Sequence, residues 1–312
     1  MGFTNHWQII CVALILTLGA LASQAAPRTL QDVAMHEKYE QWMARYRRVY
    51  KDTYEKEKRF KIFKENVAYI ESFNGAANKP YKLGINQFVD LTNEEFVATR
   101  NRFMGHECSS QSSSFKYENV IVLSSVMDWR KKGAVTPITD QGQCELVDYD
   151  IKGIDQGCGG GLMDNAFQFI QHNQGHTTKA NYPYKGVDET CNTKEESNHA
   201  AKINGYEDVP ANSEKALLKV VANQPVSVAI DAGGSDFQFY SSGIFIGACG
   251  TSLGHGVTVV GYGITNDGTK YWLVKNSWGT EWGEAGYIRM QRDVDGEEGL
   301  CGIAMQASYP TA

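Results

Sequence analysis

The residue that the sequence best prepares for chemistry is His255. It stands between two glycines and directly before the apolar run 257–260, which predicts a buried strand. We therefore expect its imidazole at the start of a strand with open approach, a position that suits a general base. Most single histidines are structural, so a catalytic role needs partners. Asn276, two residues before a tryptophan, is the polar candidate downstream of His255.

Cysteine is the second chemical resource of the chain. One of its seven cysteines, Cys11, lies in the apolar N-terminal run. The remaining six favour structural disulfides whose pairing the sequence leaves open. They are Cys108, Cys144, Cys158, Cys191, Cys249 and Cys301. None forms a Cys-x-x-Cys pair or stands near a histidine at zinc spacing, so we expect no metal site and no cofactor.

Length and composition favour a globular protein with a large core. The chain has 312 residues, 42% of them hydrophobic, and a net charge of -6 that argues against nucleic-acid binding. The apolar run 9–22 is short for a membrane span, and the small residues at 22–25 predict a signal peptide over residues 1–25. We therefore expect a secretory protein that does not span the membrane.

The segment 52–74 predicts an α-helix, because six of its residues recur at steps of three and four and so form a stripe along one face. Asp52 with Glu55 predicts a capping box, and Glu55 with Arg59 has the spacing of a favourable ion pair. The stripe consists of Glu55, Arg59, Phe63, Asn66, Ile70 and Asn74. An earlier helix should pack across it through an aromatic side made of Tyr39, Trp42, Met43, Tyr46 and Tyr50.

Three further segments follow the stripe. Alternation over 81–90 predicts a short strand, and Thr92 with Glu95 predicts the capped start of a helix. Residues 104–125 are polar and rich in serine, which is typical of an exposed linker.

Together these patterns resemble the precursor of a papain-like cysteine protease. The helical stripe and a second group, Gly84, Asn86, Phe88 and Asp90, are similar to the two propeptide motifs of that family. The resemblance implies an α+β, papain-like two-domain fold, with a helical domain and a β-barrel domain, preceded by a helical pro-domain. The expected boundaries are 26–123 for the inhibitor pro-region, with a helical core at about 36–96, and 124–312 for the peptidase domain. The resemblance also implies an activation cleavage in the linker, near residues 123–126.

The same resemblance implies roles for individual residues. Gln141 would be the side-chain donor of the oxyanion hole, His255 the general base, and Asn276 the acceptor that orients the imidazole, with Trp278 shielding their contact. The substrate would lie against Gly161, Leu162, Met163 and Ala229. The implied disulfides are Cys144 with Cys158 and Cys249 with Cys301.

The resemblance breaks between Cys144 and Glu145. Family members carry roughly thirty more residues there, including the nucleophilic cysteine, the tryptophan after it and a long helix. The chain as written is therefore predicted to be inactive, with a truncated helical domain, as expected of a splice or gene-model variant. Tyr149 stands where the family has a cysteine, which leaves Cys191 without its implied partner. Cys144 is a poor substitute nucleophile because it lacks the helix that activates such a thiol.

Two functions compete at this point. The first is a cysteine endopeptidase precursor whose active form would act as a monomer on protein or peptide substrates, in the vacuole, lysosome or extracellular space. The alternative is a non-catalytic binding protein that inhibits related cysteine proteases through its pro-region.

Overall fold

The computed structural model describes residues 31–100, 115–121, 124–138, 161–178, 181 and 199–312. The predicted signal peptide lies outside these residues. The chain divides into two compact units, residues 1–68 and 69–312. Within the described part, no helix is both long and apolar enough to cross a bilayer.

The first unit is built on two helices, α1 over residues 31–46 and α2 over Thr53–Gly75, which continues into the second unit. Phe63 of α2 is fully buried, and its ring lies 5.1 Å from that of Tyr39 and 5.4 Å from that of Trp42. The predicted packing of the earlier helix against the stripe is therefore confirmed. The predicted ion pair also forms, with Arg59 Nε 2.7 Å from Glu55 Oε1.

The end of α1 differs from the prediction. The helix stops at residue 46, and Arg47 adopts a left-handed backbone conformation with φ of 52°. Tyr50 therefore lies outside the helix, although its ring still stacks on Tyr39 at 6.4 Å. The predicted contact of Tyr50 with the aromatic side is therefore present, but the prediction that Tyr50 belongs to the helix is wrong.

The second unit contains a mixed sheet whose strands run in the order β1-β5-β8-β7-β6-β4-β9-β3, with β2 paired to β6. Only the described pair β5 and β8 is parallel. The strands are β1 Tyr81–Leu83, β2 Met127–Asp128, β3 Gly205–Asp208, β4 Val226–Ile230, β5 Tyr240–Phe245, β6 His255–Ile264, β7 Lys270–Lys275, β8 Tyr287–Gln291 and β9 Ala307–Thr311. We call residues 205–312 the sheet domain.

Short helices surround this sheet: α3 Asn93–Arg100, α4 Met163–His172, α5 Glu214–Val221, α6 Ser235–Gln238 and a 3-10 turn at Leu300–Gly302. The predicted capping box of α3 is present, because the backbone N–H of Thr92 donates to Glu95 and the N–H of Glu95 donates to the Thr92 hydroxyl. The predicted strand over 81–90 is shorter than expected, since β1 ends at Leu83 and a turn follows.

Large aromatic side chains fill the core of the sheet domain. Trp272, Trp278 and Trp282 are all less than 2% exposed. Gly261 is required where β2 crosses β6, because a Cβ at that position would lie 2.2 Å from the Met127 carbonyl oxygen. The glycine on β6 thus allows β2 to lie directly against the β6 backbone.

Candidate active site

His255 and Asn276 lie side by side at the ends of two neighbouring strands. His255 is the first residue of β6, and Asn276 follows the last residue of β7. The imidazole Nε2 lies 2.8 Å from Asn276 Oδ1, which also accepts the N–H of Ser277 at 2.7 Å. Because that backbone donor requires an acceptor, the oxygen faces the imidazole, and Nε2 must carry the hydrogen. Nδ1 of the neutral ring is left as the acceptor.

Trp278 covers the pair. Its ring is 1% exposed and stacks on the His255 imidazole, with centroids 4.7 Å apart and planes at 23°. The edges of Phe88 and Phe96 contact the same indole at 5.7 and 5.2 Å, close to perpendicular. An aromatic cluster thus holds the imidazole on one side and the residues after β1 on the other.

His255 is less open than the sequence suggested. Its side chain is only 7% exposed, so the expected open approach is wrong for this state of the chain. Burial lowers the pKa of His255 to about 4, although the hydrogen bond that the imidazole donates to Asn276 opposes this shift, and the charge of Arg100 lowers the pKa further. The imidazole is therefore neutral over the range in which a general base works. Sequence patterning could not reveal this burial, because residues far from His255 in the chain produce it.

The segment that covers this region is residues 69–100, here called the docking segment. Gln87 Nε2 donates to the Trp278 carbonyl at 2.5 Å, and Asn86 Nδ2 donates to the Gln238 carbonyl at 2.8 Å. The Gln238 amide, fully buried, donates to the Phe88 carbonyl at 3.2 Å and accepts from Asn93 Nδ2 at 3.1 Å. Gln238 was missed at the sequence level because no local pattern marks it.

The second propeptide motif occupies this contact region. Asn86 bonds as just described, Phe88 is fully buried and Asp90 is 3% exposed. A Cβ on Gly84 would lie 3.0 Å from the Cβ of Ser241, so the close approach favours glycine. Asn74, the last member of the helical stripe, bonds to both backbone groups of Leu83. Its Nδ2 donates to the Leu83 carbonyl at 2.7 Å, and its Oδ1 accepts from the Leu83 N–H at 3.0 Å.

The remaining predicted site residues are distributed as follows. Leu162 precedes α4 and Met163 begins it, and the helix packs against β3 and β9. Ala229 is fully buried on β4, opposite Gly256 of β6. Gly161 lies directly before Leu162, next to the start of α4. The shared specificity pocket of these residues stays a prediction.

The cysteine predictions divide in the same way. Cys249 and Cys301 form a disulfide, with Cα atoms 5.1 Å apart, as the resemblance implied. The residues Gln141, Cys144, Cys158, Tyr149, Cys191 and Cys108 lie outside the described part of the chain. Their predicted roles are therefore untested.

Comparison with known proteins decides the family. A family model described as papain family cysteine protease matches residues 145–311, more than half of the chain. The chain belongs to the papain family of cysteine proteases. A second model, the cathepsin propeptide inhibitor domain, matches residues 39–96 of this papain-family precursor.

Relatives cover nearly the whole precursor. It is 51% identical over 335 residues to the senescence-specific cysteine protease SAG39 of Oryza sativa subsp. indica, covering 96% of this chain and 98% of the relative. Because 96% of 312 residues is about 300, the alignment has about 35 positions without a counterpart here.

Solved structures of papain-family proteins agree with the fold. The proform of Amb a 11, a ragweed pollen allergen, has a TM-score of 0.81 at 38% identity, covering 89% of this chain and 94% of that one. Bromelain from Ananas comosus, in complex with the E64 inhibitor, has a TM-score of 0.56 at 44% identity, covering 61% of this chain and 99% of that one. The α+β fold class and the helical pro-domain are thereby confirmed.

Proposed function

We propose that this chain is a papain-family cysteine endopeptidase precursor that does not hydrolyse peptides in the form given by its sequence. The observation that carries the proposal is the His255–Asn276 pair, which is built to accept a thiol proton at Nδ1. No cysteine of the sequence carries the Gly, small residue, Cys, Trp context in which the family's nucleophile stands. The pair therefore has no nucleophile to serve.

Two further findings support a missing segment. The match to the peptidase model begins at residue 145, directly after the point where the family resemblance breaks. The alignment with the rice relative contains about 35 positions that this chain lacks, close to the roughly thirty inferred from the motif. A single gap between Cys144 and Glu145 accounts for both.

The chemistry of the complete enzyme follows from the family. A cysteine thiolate would attack the peptide carbonyl carbon, and the His255 imidazolium would protonate the leaving amine. Water activated by the same imidazole would then hydrolyse the thioester. With Leu162, Met163 and Ala229 as an apolar pocket, cleavage would follow an apolar residue two positions before the scissile bond. Gln141 would stabilise the oxyanion, a contribution of about 3 to 4 kcal/mol in comparable sites.

The test is turnover of a fluorogenic peptide that carries such an apolar residue. We expect no turnover by the full chain, including after removal of the pro-region. The matched control is the same chain with the family's segment inserted between Cys144 and Glu145, which should become active. Turnover by the uninserted chain that is lost in His255→Ala would overturn the proposal.

We also propose the boundary between pro-region and peptidase near residue 123. Residues on the peptidase side of this boundary bond to the sheet domain: the Ser124 carbonyl accepts from the Tyr262 hydroxyl at 3.0 Å, and the Trp129 indole donates to the Val221 carbonyl at 2.7 Å. Ile121 is 91% exposed. A protease could therefore cut before Ser124 without disturbing the sheet. The disulfide favours a secretory compartment, either vacuolar or extracellular.

Inhibition of related proteases is the second candidate. The docking segment packs on a papain-family sheet domain that lacks the nucleophile segment, so that docking does not depend on an intact active site. An expressed chain that inhibits a related protease at nanomolar concentration, and no longer does so as Phe63→Ala/Phe88→Ala, would support this function. Absence of inhibition at micromolar concentration would exclude it.

A further inference from the structure

Asp236 receives two hydroxyl groups from two separate parts of the docking segment. The hydroxyl of Tyr69, on α2, donates to Oδ1, and the hydroxyl of Tyr81, on β1, donates to Oδ2. Asp236 itself lies on α6 of the sheet domain. One carboxylate thus spans two elements that are joined by the turn after α2.

We propose that Asp236 is the side chain by which the sheet domain recognises its pro-region. The partner it fits is a pro-segment that presents two aromatic hydroxyls, one from the end of its long helix and one from the strand that follows. The Tyr69–Asp236–Tyr81 group is here called the carboxylate clamp.

The buried surroundings of Tyr81 favour a hydroxyl group at the clamp, whereas Tyr69 is 41% exposed. Tyr81 is 4% exposed, and its ring lies between those of Phe73 at 4.9 Å and Phe245 at 5.1 Å. Tyr69 contacts the ring of Phe239 at 6.4 Å. Burial, and then the neighbouring carboxylate, raises the pKa of both tyrosines, so both hydroxyls stay protonated and donate. Phenylalanine would fit the same space but would remove both tyrosine donors from the carboxylate.

Several of the other hydrogen bonds between the docking segment and the sheet domain involve backbone groups of the docking segment and not its side chains. The N–H of Gly84 donates to the Phe239 carbonyl at 2.8 Å, and the N–H of Ile244 donates to the Pro80 carbonyl at 2.9 Å. Gly243 has φ of 95°, and a Cβ there would lie 2.4 Å from the Pro80 carbonyl oxygen, which shows how closely the two backbones approach. Since any sequence offers such backbone groups, they hold a strand without selecting it.

The Gln238 amide contacts one side chain, because its oxygen accepts from Asn93 Nδ2 at 3.1 Å, whereas its nitrogen donates to the carbonyls of Phe88 and Leu91. Asp236 differs in that its partners are side-chain hydroxyls that few residue types supply. The clamp also positions Tyr69, near the end of α2, and Tyr81 of β1 on the same carboxylate. Selection and positioning therefore fall on the same residue.

The test is amide hydrogen exchange in the full chain. The amides of Gly84 and Ile244 report docking, and the amide of Asn276, bonded to the Gly286 carbonyl at 3.0 Å, serves as the internal reference for the sheet. We expect Asp236→Ala, and the double variant Tyr69→Phe/Tyr81→Phe, to speed exchange of the reporters by about tenfold or more without changing the reference, as for loss of hydrogen bonds to a charged group.

Matched controls remove the same groups elsewhere. Tyr54→Phe removes an exposed tyrosine hydroxyl, and Asp295→Asn neutralises an exposed aspartate; neither should change the exchange of the reporters. Asp236→Asn, which keeps the shape of the side chain and one acceptor oxygen, should give an intermediate rate. It also keeps the test possible if Asp236→Ala does not fold.

Coupling between the residues decides the proposal. In the Asp236→Ala background the two tyrosine changes should add less than about a twofold effect, since their acceptor is already gone. Equal effects of the tyrosine changes with and without Asp236 would overturn the clamp. Wild-type exchange of the reporters in both Asp236 variants would overturn it as well.

Discussion

Helices α4 and α5 are of similar length, but they differ in how far their apolar side chains are buried. In α5, Leu217, Val220 and Val221 are fully buried, and the Ser213 hydroxyl caps the first turn by accepting from Ala216 at 3.1 Å. None of the residues of α4 is buried, and the residue before it makes no capping bond through its side chain. Phe169 and Ile170 of α4 remain partly exposed.

The difference follows from what each helix packs against. The α5 helix packs against β6, a strand that is paired with β7 on one side and β4 on the other. The described contacts of α4 are with β3 and β9, where Phe167 stacks on Tyr206 at 5.9 Å and Gln171 donates to the Asn204 carbonyl at 2.7 Å. If a segment is missing between Cys144 and Glu145, as proposed above, its absence explains the exposure of the α4 face. On this account the sheet domain is complete without that segment, and α4 is not.

Loss of the disulfide should have the largest effect on the sheet side of this comparison. Cys249 and Cys301 are 52 residues apart, and a crosslink of that span stabilises a fold by roughly 4 kcal/mol through the unfolded chain. The double variant Cys249→Ala/Cys301→Ala should lower the free energy of unfolding by about that amount in urea titrations. An unchanged midpoint would show that the sheet domain does not depend on this crosslink.

Truncation of the buried face of α5 should come next. Leu217→Ala removes a fully buried side chain and should destabilise the sheet domain by about 3 kcal/mol, within the usual range of 2 to 5. Urea unfolding followed by tryptophan fluorescence measures this, since Trp272, Trp278 and Trp282 lie in the same core. A loss below about 1 kcal/mol would mean that α5 is no better supported than α4.

Acid should weaken the sheet domain through His255. Its pKa of about 4 in the folded chain lies below the ordinary 6.5, so the unfolded chain takes up the proton first as pH falls. Stability is therefore full above pH 6.5 and declines toward pH 4, with a loss of about 2 kcal/mol between pH 7 and pH 5. Urea midpoints at both pH values should show this difference in the wild-type chain and a smaller one in His255→Gln. Identical pH dependence in both would refute a buried neutral imidazole.

The smallest effect is expected on α4. Ile170→Ala removes a partly exposed side chain and should cost less than about 1 kcal/mol, in contrast to Leu217→Ala. Paired urea titrations of the two variants measure the contrast directly. In the chain with the missing segment inserted, the cost of Ile170→Ala should rise toward that of Leu217→Ala. No rise would break the link between the gap and the exposed face.

Local sequence patterns predicted the parts of the fold that depend on residues close together in the sequence. The stripe from Glu55 to Asn74 predicted α2, and Thr92 with Glu95 predicted the start of α3, because both signals act within one or two helical turns. The end of α1 was not predicted, because the residue in the left-handed conformation there is Arg47 and not a glycine, the usual sequence signal for a helix end.

Long-range contacts account for what the sequence did not reveal. Asp236 lies more than 150 residues from both tyrosines that it binds, and no spacing rule connects them. The burial of His255 likewise arises from packing between distant segments. The pairing of His255 with Asn276 could be predicted only through the resemblance to a family, since neither residue alone marks a catalytic position.

The most direct test of the central claim is a search for a reactive thiol beside His255. Bromelain was crystallised with the E64 inhibitor, and we propose that a restored form of this chain would react with the same compound. Intact-mass spectrometry of the full chain after incubation with E64 at pH 5 should show no adduct, whereas the chain with the missing segment inserted should gain the mass of one inhibitor. An adduct on the uninserted chain that disappears in His255→Ala would contradict the account.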